Sequence, residues 1–273
     1  MNSTQTVSEF IIVGLSEFED KKTLLFVLFL LAYTNILGGN TMIIYLVWTD
    51  AKLSSPMYFF LHNLSFVDIV YTSVTILNML SGFLTGTKTI SVPGCFLQMY
   101  WFISMAVTGS GLLTVMAFDR YVAICNPLRY TAIMTRKKRL KTRGLTDLYV
   151  NGDLSACSSS VGPGDSAWGA PFPPSPTIPN RVRHFLCNPS SVMRLACANI
   201  TVNSRLSLAS ALVALLTTLA LILSSYAAIG ASICRMGSWE VRRKAFTTCA
   251  AHLTVVSISY GSAAFVYTSY RVG

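Results

Sequence analysis

Charged side chains are scarce in this chain: only 12% of its 273 residues are Asp, Glu, Lys or Arg. Hydrophobic residues make up 52%, and the mean hydropathy is +0.54. This balance excludes an ordinary soluble domain and predicts an integral membrane protein. The net charge of +10 does not indicate nucleic-acid binding, because the basic residues cluster beside apolar runs. We therefore expect membrane lipid, and no nucleic acid, as a partner.

Motifs for catalysis, metal binding and phosphate binding are also missing. The sequence has no HExxH or CxxC spacing and no Gly-rich phosphate loop. The three histidines, His62, His184 and His252, lie in separate contexts. We predict that the protein is not an enzyme and needs no metal or cofactor. A transporter or channel is disfavoured, because intramembrane charge is confined mainly to Asp68 and no repeated pair of broken helices occurs.

A cleavable signal peptide is missing as well. The N-terminus has no basic region and no small-residue cleavage site, so we expect the first apolar run to stay as a signal anchor. Acidic residues between positions 9 and 20 suit an extracellular segment, residues 1–23. Asn2 begins a glycosylation sequon and is predicted to be modified; Asn199 begins another.

The sequence contains apolar runs long enough to cross a hydrocarbon core of ~30 Å. They cover residues 24–48, 57–84, 95–118, 206–234 and 245–267. Asp68 lies inside the second run, where an unpaired carboxylate is costly, so a functional role is expected and a structural hydrogen-bond node is the alternative. Basic residues follow the third run as far as residue 143. A second basic group, within residues 235–244, follows the run that ends at residue 234. Such clusters indicate the cytoplasmic side, so the third run leaves the membrane on the inside.

Residues 116–130, MAFDRYVAICNPLRY, resemble the motif at the end of the third helix of olfactory receptors, a branch of the rhodopsin-like G-protein-coupled receptors. Supporting strings are residues 56–65, PMYFFLHNLS, and residues 244–253, KAFTTCAAHL. The resemblance covers roughly residues 8–141 and 183–267. It implies an all-α integral membrane protein of the plasma membrane, with an incomplete rhodopsin-like seven-helix bundle of five clear spans.

By this resemblance the chain is an odorant receptor that binds a small volatile ligand and signals through a heterotrimeric G protein of the olfactory stimulatory type. The resemblance pairs Cys95 with Cys187 in a disulfide and turns Asp68 toward the bundle interior. Positions matching the family's coupling and activation residues are Asp68, Asp119, Arg120, Tyr121, Tyr226, Lys244, His252 and Tyr260. Positions bordering the ligand pocket are Phe102, Ile103, Ala106, Val107, Ser110, Ser210, Ala214, Ala263, Ala264 and Tyr267.

Residues 144–183 differ in composition from the sequence on either side. Residues 24–143 contain the first three apolar runs, and residues 206–267 contain the last two. Residues 144–183 are rich in Pro, Gly and Ser and hold no apolar run of the ~20 residues that a span needs. We interpret them as a frame-shifted or substituted segment in place of a fourth span, followed by an outer-loop-like segment, 184–205.

This segment creates a conflict of topology. Without a fourth span, residues 235–244 would lie outside, against the positive-inside pattern, and the truncated end, 268–273, follows without a seventh span. The alternative function is therefore a non-signalling remnant, either a pseudogene product or a truncated isoform, retained in the endoplasmic reticulum.

Overall fold

Long α-helices dominate the structure, a computed structural model that describes residues 9–12, 20–53, 55–85, 89–134, 181–182, 186–187, 201–235 and 237–272. The helices are α1 (Lys22–Thr49), α2 (Pro56–Thr85), α3 (Val92–Cys125), the single turn α4 (Tyr130–Ile133), α5 (Thr201–Arg235) and α6 (Trp239–Val272). Short 3-10 turns occupy Ala51–Leu53 and Pro127–Arg129. The most atypical stretch of the sequence, residues 144–180, lies outside the described residues.

The apolar runs explain where these helices begin and end. Four helical stretches in the described part are long and apolar enough to cross a membrane: Lys22–Thr49, Pro56–Leu84, Val92–Cys125 and Leu212–Arg235. The fifth predicted run forms most of α6, which begins before it with a polar turn containing Glu240. The predicted class, an all-α membrane protein, is confirmed.

The connection between α1 and α2 is short and locally stabilised. The Asp50 carboxylate accepts a hydrogen bond from the Lys52 backbone N–H at 2.9 Å, and α2 then starts at Pro56, a residue suited to a first helical position. The two helices pack along each other. Tyr33 and Ser73 share a hydrogen bond of 3.0 Å between their hydroxyls, and the Phe29 ring stacks on Phe83 at a centroid distance of 6.2 Å.

Polar side chains inside the helices bond to their own backbone. The Asn35, Asn40 and Asn63 amides each donate to the carbonyl four residues earlier, at 2.7, 3.0 and 2.6 Å. Lipid offers no hydrogen-bond partner, so these bonds lower the cost of placing an amide in an apolar helix.

A small sheet, which the sequence did not predict, joins segments distant along the chain. Strand β1 (Glu9–Ile12) lies between β2 (Thr89–Ser91) and β3 (Arg181–Val182). It pairs antiparallel with β2, matching Phe10 to Ile90, and parallel with β3, matching Ile11 to Arg181. With four, three and two residues, the strands are too short for an alternating pattern to show.

The sheet resolves the conflict of topology. Because β3 pairs with the N-terminal strand, and because Cys187 is bonded to Cys95 in the first turn of α3, the chain is back at the outer end of α3 by residue 181. Farther along, the Cys125 thiol lies 3.8 Å from the Ala228 carbonyl, so the last turns of α3 and α5 meet. The C-terminal ends of α3 and α5 therefore lie on the same side. This arrangement does not reproduce the conflict in which residues 235–244 would lie outside.

The chain divides into two compact units, with the boundaries inside α3 and α5. The first comprises residues 1–109 and 144–214, and the second comprises residues 110–143 and 215–273.

Candidate functional site

The inner end of α3 contains a buried carboxylate with two partners. Asp119 is fully buried, and its Oδ2 accepts from the Arg120 guanidinium at 2.5 and 3.1 Å. Its Oδ1 accepts from the Tyr130 hydroxyl at 2.8 Å. A buried carboxylate is strongly unfavourable unless it is paired, and here both oxygens are satisfied.

The turn after α3 brings Tyr130 to this carboxylate. The Asn126 N–H makes the last helical bond, to Val122 at 3.0 Å, and Pro127, which has no N–H to continue the helix, opens a 3-10 turn. This turn reverses the chain into α4, whose first residue is Tyr130. Sequence reasoning assigned no role to Tyr130, although the Asn-Pro pair predicts a turn there. Tyr121, a predicted coupling residue, lies beside Phe118 at a ring distance of 6.1 Å, and its role stays a prediction.

Two polar links join α5 to α6. The Tyr226 hydroxyl lies 2.7 Å from His252 Nδ1, and the Tyr260 hydroxyl donates to Thr218 Oγ1 at 2.6 Å. The links are eight residues apart on each helix, which corresponds to ~12 Å along antiparallel axes. His252 is buried, with 4% of its surface exposed, and its Nε2 has no hydrogen-bond partner in the part of the chain that the structure describes. These links fix the register of α5 against α6.

The other predicted coupling residues lie apart from these contacts. Lys244 is exposed near the start of α6. Asp68 is exposed on α2, near the buried Ser65 and Val67. Its orientation toward a bundle interior stays a prediction.

The predicted ligand-pocket residues fall in both units. In the first unit Phe102, Ile103 and Val107 are half-buried, as is Ala214, while Ala106 is exposed. Phe102 stacks against Tyr71 of α2 at a centroid distance of 5.1 Å. The second unit contains Ser110 and Ala263, both half-buried, and Ala264, which is exposed. The side chains of Ser210 and Tyr267, and the sequon at Asn2, lie outside the described part.

The outer end of α3 is fixed by the predicted disulfide. Cys95 and Cys187 are joined, with their Cα atoms 5.4 Å apart, and both are almost fully buried. Gln98 supports the bridge from the next turn: its amide donates to the Val74 carbonyl at 3.0 Å and accepts from the Cys187 N–H at 3.3 Å. One side chain thus connects α2, α3 and the segment that carries Cys187.

Comparison with known proteins agrees with this arrangement. The olfactory receptor family profile matches residues 29–149 and 175–273. Olfactory receptor 6E1 of Mus musculus is 40% identical over 267 residues, covering 98% of this chain and 82% of the relative. Olfactory receptor 10C1 of Homo sapiens is 41% identical over 97% of this chain and 82% of its own length. Olfactory receptor 13C2 of Homo sapiens is 44% identical over 95% of this chain and 78% of its own.

Together, the apolar helices and these relatives define a multi-pass membrane receptor of the odorant-sensing, G-protein-coupled class, and not an enzyme. The chain belongs to the olfactory receptor family. Odorants and a G protein are its general partners, and nothing in the comparisons supports the alternative of a non-signalling remnant.

Proposed function

We propose that the receptor signals through a G protein of the olfactory stimulatory type, which raises cyclic AMP, and that Arg120 is the residue through which it couples. The observation that supports this is the buried arrangement of Asp119 with Arg120 and Tyr130 at the cytoplasmic end of α3. Arg120 is itself largely buried, with 17% of its side chain exposed. In this state its guanidinium is used on Asp119 and is not offered to a partner.

Activation then requires a second state in which Arg120 leaves Asp119. A ligand can favour that state only to the extent that it binds it more tightly than the resting state. In the second state the guanidinium becomes available to donate hydrogen bonds to the G protein.

The α5–α6 links are proposed to move with the same transition. An inner-end displacement of α6 must break or shift the bond between Tyr226 and His252, because a 2.7 Å contact tolerates little sliding. The outer link, Tyr260 to Thr218, lies about two turns away and can act as the pivot. Lys244 and Asp68 remain predicted contributors.

The ligand is proposed to be a small, mostly apolar volatile compound held by the outer halves of α3, α5 and α6. Phe102, Ile103 and Val107 supply apolar surface, and Ser110 supplies a hydroxyl. Pockets for such compounds are mainly apolar with few polar groups. Ser210, Ala214, Ala263, Ala264 and Tyr267 complete the proposed lining.

A cyclic AMP assay in cells that express the full chain tests both the proposed type of G protein and the proposed class of ligand. A panel of aliphatic aldehydes, ketones and aromatic esters is applied with the olfactory stimulatory α subunit or with an inhibitory α subunit. We expect a rise in cyclic AMP only with the stimulatory subunit. Arg120→Ala is expected to reduce the maximal response about tenfold or more, equivalent to a coupling loss of ~1.4 kcal/mol.

Arg129→Ala is the matched control, because Arg129 is exposed beyond the end of α3. It is expected to respond like the parent receptor at equal surface expression. A normal response from Arg120→Ala, or a response carried by another second messenger, would contradict the proposal.

A further inference from the structure

We propose that the N-terminal strand β1 closes the outer end of the ligand site and that Phe10 is the residue that positions it there. This inference rests on the proposed ligand site around Phe102 and Ile103. Phe10 is 2% exposed although it belongs to a four-residue strand near the chain terminus. A buried aromatic at such a place indicates that the strand is fixed to the protein and is not a loose tail.

Phe10 belongs to the buried cluster that contains the disulfide. Its cluster contains Cys95, Met99 and Cys187, all buried, and three half-buried neighbours surround it, Ile90, Val92 and Phe96. The cluster that contains the ring therefore includes residues of β2, of the first turns of α3 and of the segment that carries Cys187. Removing the ring would leave a void at the point where these segments meet.

Backbone pairing holds the same strand on both edges. On one side Glu9, Phe10 and Ile11 match Ser91, Ile90 and Thr89, and on the other side Ile11 and Ile12 match Arg181 and Val182. As the central strand of the sheet, β1 joins β2 and β3, which do not pair with each other. The outer loops are thus connected through the N-terminal segment.

The proposed ligand site begins one helical turn below this cluster. Met99 precedes Ile103 by four residues on α3, which corresponds to ~6 Å along the helix axis. Gln98, on the same turn as Met99, ties the Cys187 backbone to α3 and the Val74 carbonyl of α2. β1 and Phe10 thus lie about one turn outward of Ile103, and in the proposed closed state a water-borne ligand displaces them to enter or leave.

Access to a cysteine placed in the site tests the closure without any odorant. The full chain with Ile103→Cys is prepared in permeable membrane vesicles and treated with a water-soluble, positively charged methanethiosulfonate reagent. The rate at position 103 is obtained by subtracting the signal of the matching chain that retains Ile103. Adding Phe10→Ala is expected to raise this rate about tenfold, because opening of the layer becomes more frequent.

Two further variants distinguish a specific loss of closure by β1 from a general loss of stability. Phe10→Leu keeps an apolar side chain in the cluster and is expected to restore most of the protection. Phe66→Ala removes the same ring from α2, where Phe66 is 56% exposed, and should leave the rate unchanged. An unchanged rate in Phe10→Ala would overturn the proposal, as would equal acceleration by Phe66→Ala.

A stabilised variant guards against misfolding of Phe10→Ala. Ile11 and Thr89 are Cα partners in the β1–β2 register, so Ile11→Cys with Thr89→Cys can join the two strands covalently. This pair is expected to slow labelling at position 103 below the rate of each single cysteine variant. A joined pair that labels as fast as the single variants would contradict closure by β1.

Odorant assays then separate this inference from the proposed function. If a volatile activates the parent receptor, Phe10→Ala should raise the half-maximal concentration and shorten the response after washout, with the maximal response retained. If no volatile activates the parent while Phe10→Ala still accelerates labelling, the proposed function fails and the closure stands. Equal potency and equal labelling in the two receptors would reject the closure alone.

Discussion

Tyr226 and His252 are joined by a 2.7 Å hydrogen bond between α5 and α6, and among the described residues the other nitrogen of that buried imidazole has no hydrogen-bond partner. The Tyr226 hydroxyl therefore satisfies one of the two ring nitrogens. Their rings also stack, with centroids 5.8 Å apart. The pair combines a polar contact that depends on geometry with an apolar contact that tolerates sliding, which suits a contact that must re-form after movement.

Tyr226→Phe should separate these two contributions. It keeps the ring stack and removes the hydroxyl, so His252 Nδ1 loses its partner, at a cost of ~1–3 kcal/mol. We expect a lower melting temperature for the detergent-solubilised receptor and a changed ratio of basal to stimulated cyclic AMP. Tyr45→Phe is the control, because Tyr45 is 58% exposed on α1. An equal melting temperature in both variants would show that the bond contributes nothing to the resting state.

The inner loop gives a second prediction. Tyr130→Phe removes one hydrogen bond to the buried Asp119 carboxylate and leaves the Arg120 pair in place. A hydrogen bond to a charged group contributes ~1.5–3 kcal/mol, so the resting state should be weakened. We expect cyclic AMP without ligand to rise severalfold at equal surface expression. If basal cyclic AMP stays at the parent level, Tyr130 does not stabilise the resting state.

The sequence predicted the parts that depend on local pattern. Apolar length located the helices, and the motif around Asp119 and Arg120 fixed the direction of α3 and the family. Cys187 could be paired with Cys95 only through the family resemblance, since spacing alone does not specify a partner. The link between Tyr260 and Thr218 joins residues 42 positions apart, and only the packing of α5 on α6 reveals it.

The features that the sequence did not reveal also have physical causes. Phe10 stands in a strand too short to show alternation, and its burial depends on a disulfide between segments 92 residues apart. The orientation of Asp68 toward the bundle interior rests on the family resemblance alone; the residue is exposed on α2, and its role stays a prediction. Tyr130 lay within the quoted motif, but its bond to Asp119 forms only because the 3-10 turn reverses the chain.

Gln98 provides a third prediction, for the outer end. Gln98→Met keeps the length of the side chain but removes both hydrogen bonds, leaving the buried Cys187 N–H without its acceptor. We expect a loss of ~1–3 kcal/mol in the stability of the solubilised receptor. Leu97→Met is the matched control, because Leu97 is 52% exposed on the neighbouring face of α3. Equal melting of the two variants would mean that the disulfide alone fixes this segment.

The outer location of the chain before α5 gives the last prediction. β3 pairs with the N-terminal strand, and Cys187 is bonded to Cys95, so the sequon at Asn199 follows residues that lie at the outer end of α3. The apolar span of α5 begins at Leu212, thirteen residues after Asn199. We therefore expect glycans at both Asn2 and Asn199, since both sequons would face the lumen during synthesis.

The measurement is the electrophoretic mobility of the full chain before and after glycosidase treatment. Asn2→Gln and Asn199→Gln should each remove one glycan, and the double variant should remove both. Thr201→Ala provides an independent control, because it destroys the second sequon while keeping Asn199. A glycan on Asn2 alone would contradict the outer placement, because residues translocated with the N-terminal segment are exposed to the same enzyme.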